Sequence, residues 1–166
     1  MAIKIPQHRC RLQIFADYFQ FYLWDSVERL APEAWTETDV QNRAKIADGV
    51  VVVCPIRNTT VPVEISIWDS EPHCLSTEWQ HIVEAPLLLR KDLLEIHECT
   101  GGALAHFTIP AGEYAVRALF RGMDTLSENG LDGKDFYEVQ VWPQKLAALR
   151  VLKQWSGGTD PSTSSG

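Results

Sequence analysis

The sequence predicts a mainly β protein, namely an antiparallel β-sandwich of about eight or nine strands with one short inserted helix. Its 166 residues are the length of one ordinary domain, and 45% hydrophobic and 22% charged residues are typical of a globular chain. From residue 61 onward, apolar segments of five to nine residues alternate with clusters of glycine, proline, asparagine or aspartate. Several short strands with turns at such spacing are typical of a sandwich or a barrel.

The first part of the chain predicts two strands, a helix and a central strand. Apolar residues alternate with polar ones in two segments between residues 11 and 25, which indicates a strand pair that bends at Ala16 and Asp17. The stretch from Glu37 to Ala47 predicts a helix, because Thr36 or Thr38 can cap its start and acidic residues precede basic ones. The all-apolar run after Asp48-Gly49 indicates a strand that is buried on both faces.

Six further segments predict strands in the rest of the chain, namely residues 61–69, 81–89, 92–98, 105–109, 113–120 and 136–142. Leucines recur at helical spacing between Pro143 and Leu152, so a terminal helix and an extended arm both stay open. We expect residues 1–154 to form a single β-sandwich domain. Residues 155–166, which are rich in serine and glycine, are expected to be a disordered tail.

The charge and the ends of the chain disfavour several classes of function. The net charge of −7 and the pI of about 5.2 disfavour binding to nucleic acid or to an anionic membrane. The first residues lack the apolar core of a secretory signal, and no apolar run is long enough to cross a bilayer, so a cytoplasmic protein is expected. The four cysteines contain no CxxC pair, which favours reduced thiols over a zinc site.

No recognised pattern of catalytic residues is present. The sequence contains neither GxSxG nor HExxH, and its glycine pairs do not form a phosphate-binding loop. His81 and Glu84 would point to opposite faces of a strand and could not share one metal ion. We therefore predict a protein that is not an enzyme and that needs no cofactor. The acidic loop from Asp124 to Asp135 leaves a bound cation open as the less favoured alternative to a solvated hairpin loop, because its order of residues is not that of a calcium loop.

The acidic residues are concentrated in two stretches. Residues 58–89 contain five acidic residues and no lysine or arginine, and residues 124–138 contain five acidic residues and one lysine. If the two stretches lie together, they form an acidic face that can steer a basic protein at long range. The alternative is that these residues are scattered over loops and serve solubility alone.

The order of the segments resembles the competence protein J family of small bacterial proteins, which inhibit a DNA-entry nuclease. The resemblance runs from about Leu12 to Trp142 and also extends to a wide set of uncharacterised bacterial proteins. It is carried by ADYFQFYLWD, by AWT before the helix, by ADG and RNT around the central strand, by FTIPAGEYAVRAL and by DFYEVQV. It implies a β-sandwich fold and a binding role without catalytic residues.

Charge and resemblance together predict a non-catalytic inhibitor or immunity-type protein that presents an acidic face to a basic partner such as a nuclease or toxin. Carboxylates can imitate phosphates in the cleft of such a partner. The candidate binding residues are two tryptophans that could anchor the interface and the acidic residues near them or in the second stretch: Trp68, Asp69, Glu71, Glu78, Trp79, Asp124, Glu128, Asp132 and Asp135. The alternative is a sandwich that binds a small ligand or a carbohydrate, which requires a concave pocket with convergent polar groups.

Overall fold

A computed structural model describes residues 5–25, 35–74 and 76–156. In this part of the chain, eleven strands form two sheets with a shared hydrophobic core between them. The strands are β1 His8–Phe15, β2 Phe21–Trp24, β3 Ala44–Ala47, β4 Val50–Val53, β5 Thr60–Ile67, β6 His81–Leu89, β7 Leu94–Glu98, β8 Gly102–Phe107, β9 Gly112–Arg121, β10 Phe136–Pro143 and β11 Arg150–Lys153. The predicted β-sandwich is therefore confirmed.

One sheet has six strands in the order β1-β5-β10-β9-β6-β11, and the other has five in the order β3-β4-β2-β7-β8. Alternate residues of each central strand face the other sheet; in β5 these are Val61, Val63, Ile65 and Ile67, all buried. This alternation is the period-2 pattern that predicted the strands. The six-stranded sheet is mixed rather than purely antiparallel, since β10 runs parallel to β5.

Two of the eleven strands were predicted as something else. Helix α1 (Glu37–Asn42) begins at Thr36, whose side chain and that of Asp39 form a capping box. The helix ends earlier than predicted because Arg43 adopts a left-handed conformation at φ 60°, and the chain then continues as β3, which pairs with β4. The segment predicted as a helix or an arm contains β11, which pairs with β6 at the edge of the six-stranded sheet.

The predicted strand pair between residues 11 and 25 also needs correction. Both strands exist and the chain bends at Ala16 and Asp17, but β1 and β2 do not pair with each other. β1 pairs with β5, whereas β2 pairs with β4 and β7 in the other sheet. The bend, which contains the 3-10 turn Asp17–Phe19, thus carries the chain from one sheet to the other.

The strand registers determine which loops share an end of the sandwich. One end, which we call the α1 end, contains α1, the turn at residues 16–20, the segment 54–59 and the loop 122–135. The opposite end contains the turn at Asp48-Gly49 and the start of β9 at Gly112. Within the described residues no helix is long and apolar enough to span a membrane.

Candidate functional site

The structure places three of the nine predicted binding residues in the interior. Trp68 is buried with Ala115, Trp142 and Leu146, and its indole N–H donates to Ser66 Oγ at 2.8 Å. Trp79 is buried with Ile82 and Leu119. Both tryptophans pack on the outer face of the six-stranded sheet, where their burial stabilises the fold.

The chain between these tryptophans, described over residues 69–74 and 76–78, forms a covering segment on the outer face of the sheet, from the opposite end to the α1 end. Arg117 in β9 holds the middle of this segment, because its guanidinium donates to the Pro72 carbonyl at 3.0 Å and lies 3.4 Å from the Glu71 carboxylate. Near the α1 end, Lys153 Nζ donates to the Ser76 carbonyl at 2.9 Å. Asp69, Glu71 and Glu78 are all exposed, and Glu71 pairs with Arg117 from the surface.

A buried ionic cluster lies under this covering segment. Glu84 in β6 is fully buried and accepts from Arg117 Nε at 2.8 Å and from Arg150 Nε at 2.8 Å. Arg117 also donates to Gln140 and lies over the ring of Trp142. Each charge in the cluster is paired, which is the condition under which buried charges are tolerated.

Asp135, the third predicted residue found in the interior, joins two segments at the α1 end. Its carboxylate accepts from Arg57 Nε at 2.6 Å and from the Tyr137 hydroxyl at 2.5 Å. Tyr137 in turn accepts from the backbone N–H of Ile56, and Arg57 donates to the Leu131 carbonyl. This network fixes the loop 122–135 against residues 54–59. Asp135 therefore supports the loop from the interior of the protein.

The two acidic stretches meet at Gln80. Its side-chain amide donates to Asp124 Oδ2 at 2.6 Å, and its side-chain oxygen accepts from the Met123 backbone N–H at 2.6 Å. Glu78, two residues earlier, is exposed at this junction, and Glu128 and Asp132 are exposed on the loop that follows Asp124. Asp69 lies at the opposite end of the sandwich. Glu78, Asp124, Glu128 and Asp132 thus lie at the same end of the sandwich, the α1 end.

A groove opens beside this loop at the α1 end, with a cavity volume of about 660 Å³. Its lining is mainly aromatic and aliphatic and comes from the turn at residues 16–20, from α1 and the residues next to it, from the segment 54–59, from the loop and from the C-terminal Trp155. The lining residues are Tyr18, Phe19, Gln20, Trp35, Val40, Arg43, Cys54, Ile56, Asn58, Leu126, Asn129, Gly130, Leu131 and Trp155. A pocket of this size is large enough to bind a ligand or a side chain of a partner protein.

The groove was not predicted from the sequence. Trp155 was assigned to the tail, but its ring packs against the core, lies under the guanidinium of Arg43 and donates through its indole N–H to Asp124 at 3.2 Å. Residues 157–166 of the predicted tail lie outside the described residues, as do residues 26–34.

His81 fixes the position of Trp155, which forms the C-terminal wall of the groove. Its Nε2–H donates to the Asn42 carbonyl at 2.7 Å, so its Nδ1 accepts from the Trp155 backbone N–H at 3.1 Å. Burial, with a smaller contribution from the nearby Arg43 guanidinium, lowers the pKa of His81 below its usual 6.5. The neutral ring is therefore the form that connects α1 to the C-terminal segment.

We expect acidification to destabilise the protein through His81. Because the pKa is lower in the folded state, the unfolded state takes up the proton first, and the free energy of unfolding falls as the pH drops below about 6.5 by up to ~1.4 kcal/mol per pH unit. Urea unfolding at pH 5 to 7.5 should show this slope in the wild type and lose it in His81→Gln. His73→Gln, which changes an exposed histidine, should keep the slope; equal slopes in both variants would contradict the assignment.

Gly122, where the acidic loop begins, requires the left-handed conformation and close packing. It has φ +70°, and a Cβ there would lie 2.3 Å from the Lys134 carbonyl oxygen. Gly130 has φ +73° with open space around a Cβ. Gly130→Ala should cost about 1–2 kcal/mol for the backbone conformation alone, and Gly122→Ala at least ~1 kcal/mol more because backbone must move. Thermal unfolding compares the two; equal losses would show that Gly122 is not crowded.

A cation site in the loop has no support in the described residues. No three side chains of histidine, cysteine, aspartate or glutamate converge within residues 5–25, 35–74 and 76–156 in an arrangement that could hold a metal ion. Two of the loop carboxylates already have partners, since Asp124 binds Gln80 and Trp155 and Asp135 binds Arg57 and Tyr137.

Fold and site together define a β-sandwich with an aromatic groove and exposed carboxylates at one end. Among solved structures, the fold is similar to that of ComJ from Bacillus subtilis, an inhibitor of the DNA degrading activity of NucA. The TM-score is 0.63 at 19% identity, over 86% of this chain and 100% of ComJ. A second similar structure is crocagin biosynthetic gene J, with a TM-score of 0.50 at 16% identity, over 82% of this chain and 96% of that one.

No protein-family model matches the chain, and no curated protein sequence does. The similarity to ComJ confirms the fold that the sequence resemblance implied.

Proposed function

We propose that this protein is a non-catalytic inhibitor that binds a basic nuclease through the α1 end of the sandwich. The observation that carries the proposal is the junction of the two acidic stretches at Gln80 and Asp124, beside an aromatic groove. Glu78, Glu128 and Asp132 are exposed there. A nuclease cleft binds phosphates with basic residues, so exposed carboxylates beside an apolar groove are suited to occupy it. The fold shared with ComJ supports the proposal.

Matched charge reversals at the two ends of the sandwich test this orientation. Glu128→Lys/Asp132→Lys reverses two exposed charges at the α1 end. Asp69→Lys/Glu113→Lys reverses two exposed charges at the opposite end, so both variants change the net charge by the same amount. Measured by surface plasmon resonance at low salt, association with the nuclease recovered from the source cell should slow by about tenfold or more in the first variant only.

The same variants are also compared by how their association rates depend on salt concentration. The wild type should lose association rate as salt rises, and this loss should shrink in Glu128→Lys/Asp132→Lys. If Asp69→Lys/Glu113→Lys has the larger effect, the partner binds the opposite end; if neither variant changes the rate, the electrostatic proposal is wrong.

A small-ligand or carbohydrate-binding module is the second candidate, because the groove volume of about 660 Å³ falls in the range of ligand pockets. The polar groups of the lining favour a protein partner instead. Asn58 accepts from the Tyr18 backbone, Gln20 donates to the Tyr18 carbonyl, and Asn129 accepts from the Leu131 backbone. These amides fix the surrounding turns, so they are not arranged to converge on a small polar ligand.

A further inference from the structure

Two consecutive aromatic residues at the edge of the groove have strained backbone conformations. Tyr18 has φ 56° and Phe19 has φ 59°. Bulky residues are rare in this left-handed region, which costs about 1–2 kcal/mol per residue and is normally left to glycine or asparagine. The side chains gain little burial in return, since Tyr18 is 67% exposed and Phe19 is 43% exposed.

The surrounding structure maintains this strained turn. The Tyr18 backbone N–H donates to Asn58 Oδ1 at 2.9 Å, and the Phe19 backbone N–H donates to the Ala16 carbonyl at 2.9 Å. Thr100 donates to Asp17 Oδ2 at 3.0 Å from the β7–β8 loop. Strain that is held by several independent contacts is concentrated at functional sites. In this turn, the strained backbone presents the rings of Tyr18 and Phe19 to solvent.

Other exposed apolar side chains line the same groove. Leu131 is 48% exposed and Val40 is 38% exposed. Together with Tyr18 and Phe19, they form a contiguous apolar lining rather than scattered surface residues, and such patches mark interaction sites. Glu128 and Asp132 flank the lining residues 129–131 in the chain and are exposed.

We infer that the groove docks an apolar side chain of the partner protein from a segment that carries lysine or arginine on both sides of it. The apolar lining accommodates the side chain, and the carboxylates of Glu128 and Asp132 attract the flanking cations. The inference rests on the proposed function in taking the partner to be basic. A second copy of this chain is a poor occupant, because the same carboxylates would repel each other across the interface.

A peptide probe tests the groove without the nuclease. The probe has five residues, with phenylalanine between two pairs of lysines, and binding is followed by the indole N–H signals of Trp35 and Trp155 in NMR spectra of the full chain. We expect the probe to shift both signals. Control peptides with glutamate in place of lysine, or with glycine in place of phenylalanine, should bind at least about tenfold more weakly.

A matched pair of variants assigns the binding to the strained turn. Tyr18→Asn/Phe19→Asn suits the left-handed backbone, so it should not lower the urea midpoint, yet it should weaken peptide binding by about tenfold or more. Leu88→Asn/Leu104→Asn removes two exposed apolar residues outside the groove and should bind the peptide like the wild type. A lower midpoint in the first variant would contradict the strain argument.

Four results would overturn the inference: no shift of the tryptophan signals with the phenylalanine peptide, equal binding of the glycine peptide, equal binding of the glutamate peptide, or shifts of the tryptophan signals when cellobiose is added in place of the peptide.

A nuclease inhibition assay separates this inference from the proposed function. Inhibition without peptide binding would leave the function standing and refute the groove. Peptide binding without inhibition would support the groove and refute the nuclease as the partner.

Discussion

Replacing Asp135 with alanine is expected to lower the free energy of unfolding by about 3–5 kcal/mol. The change leaves the buried Arg57 guanidinium without its carboxylate and the Tyr137 hydroxyl without its acceptor. A buried charge that loses its partner cannot recover its hydration unless the structure opens. Equilibrium urea denaturation, followed by tryptophan fluorescence, measures the loss.

Asp132→Ala is the matched control, because Asp132 is exposed in the same loop. It should change stability by no more than about 0.5 kcal/mol. Asp135→Asn, which keeps the shape and one hydrogen-bond acceptor, should lie between the two. A loss below about 1 kcal/mol in Asp135→Ala would show that the network is not what fixes the loop to residues 54–59.

Replacing Arg117 with alanine is expected to cost a similar amount, about 3–5 kcal/mol. Glu84 would stay fully buried with Arg150 as its remaining described partner, and the Pro72 carbonyl would lose its donor. The covering segment should loosen at its centre, which faster amide hydrogen exchange at residues 71–74 would detect alongside the lower urea midpoint.

Arg121, on the same face of the same strand, provides the comparison. It is exposed and lies over the rings of Trp79 and Phe136, so Arg121→Ala should cost about 1 kcal/mol or less. The double change Glu84→Met/Arg117→Met removes both buried charges and should cost less than Arg117→Ala alone. A larger loss in the double variant would mean that the cluster is a net source of stability.

Strands in which apolar and polar residues alternate strictly were predictable, because burial of one face of a sheet requires an apolar residue at every second position. β5 shows this clearly, since its inward valines and isoleucines and its outward polar residues follow one another in the sequence. The capping of α1 at Thr36 was predictable because a capping box depends only on residues close together in the sequence, here Thr36 and Asp39. β3 and β11 were missed because their residues fit a helical pattern in the sequence, and their strand conformation comes from pairing with β4 and β6, which is a tertiary contact.

The site was harder to predict than the fold. The sequence shows that carboxylates are concentrated, but only the structure shows that Asp135 is buried against Arg57 while Asp132, three residues earlier, is exposed. The aromatic residues Tyr18 and Phe19 were assigned to the strand pair, since a positive φ at a non-glycine residue has no signal in the sequence. The wall at Trp155 depends on contacts with residues more than 70 positions earlier, such as His81.

Hydrogen exchange on the complex with the proposed nuclease partner tests the central claim, which is the proposal that the α1 end is the binding surface. We predict that binding protects the amides of residues 16–20, 126–132 and 154–156, which surround the groove. Residues 109–114 at the opposite end should exchange as in the free protein. Protection confined to residues 109–114, with unchanged exchange around the groove, would contradict the claim.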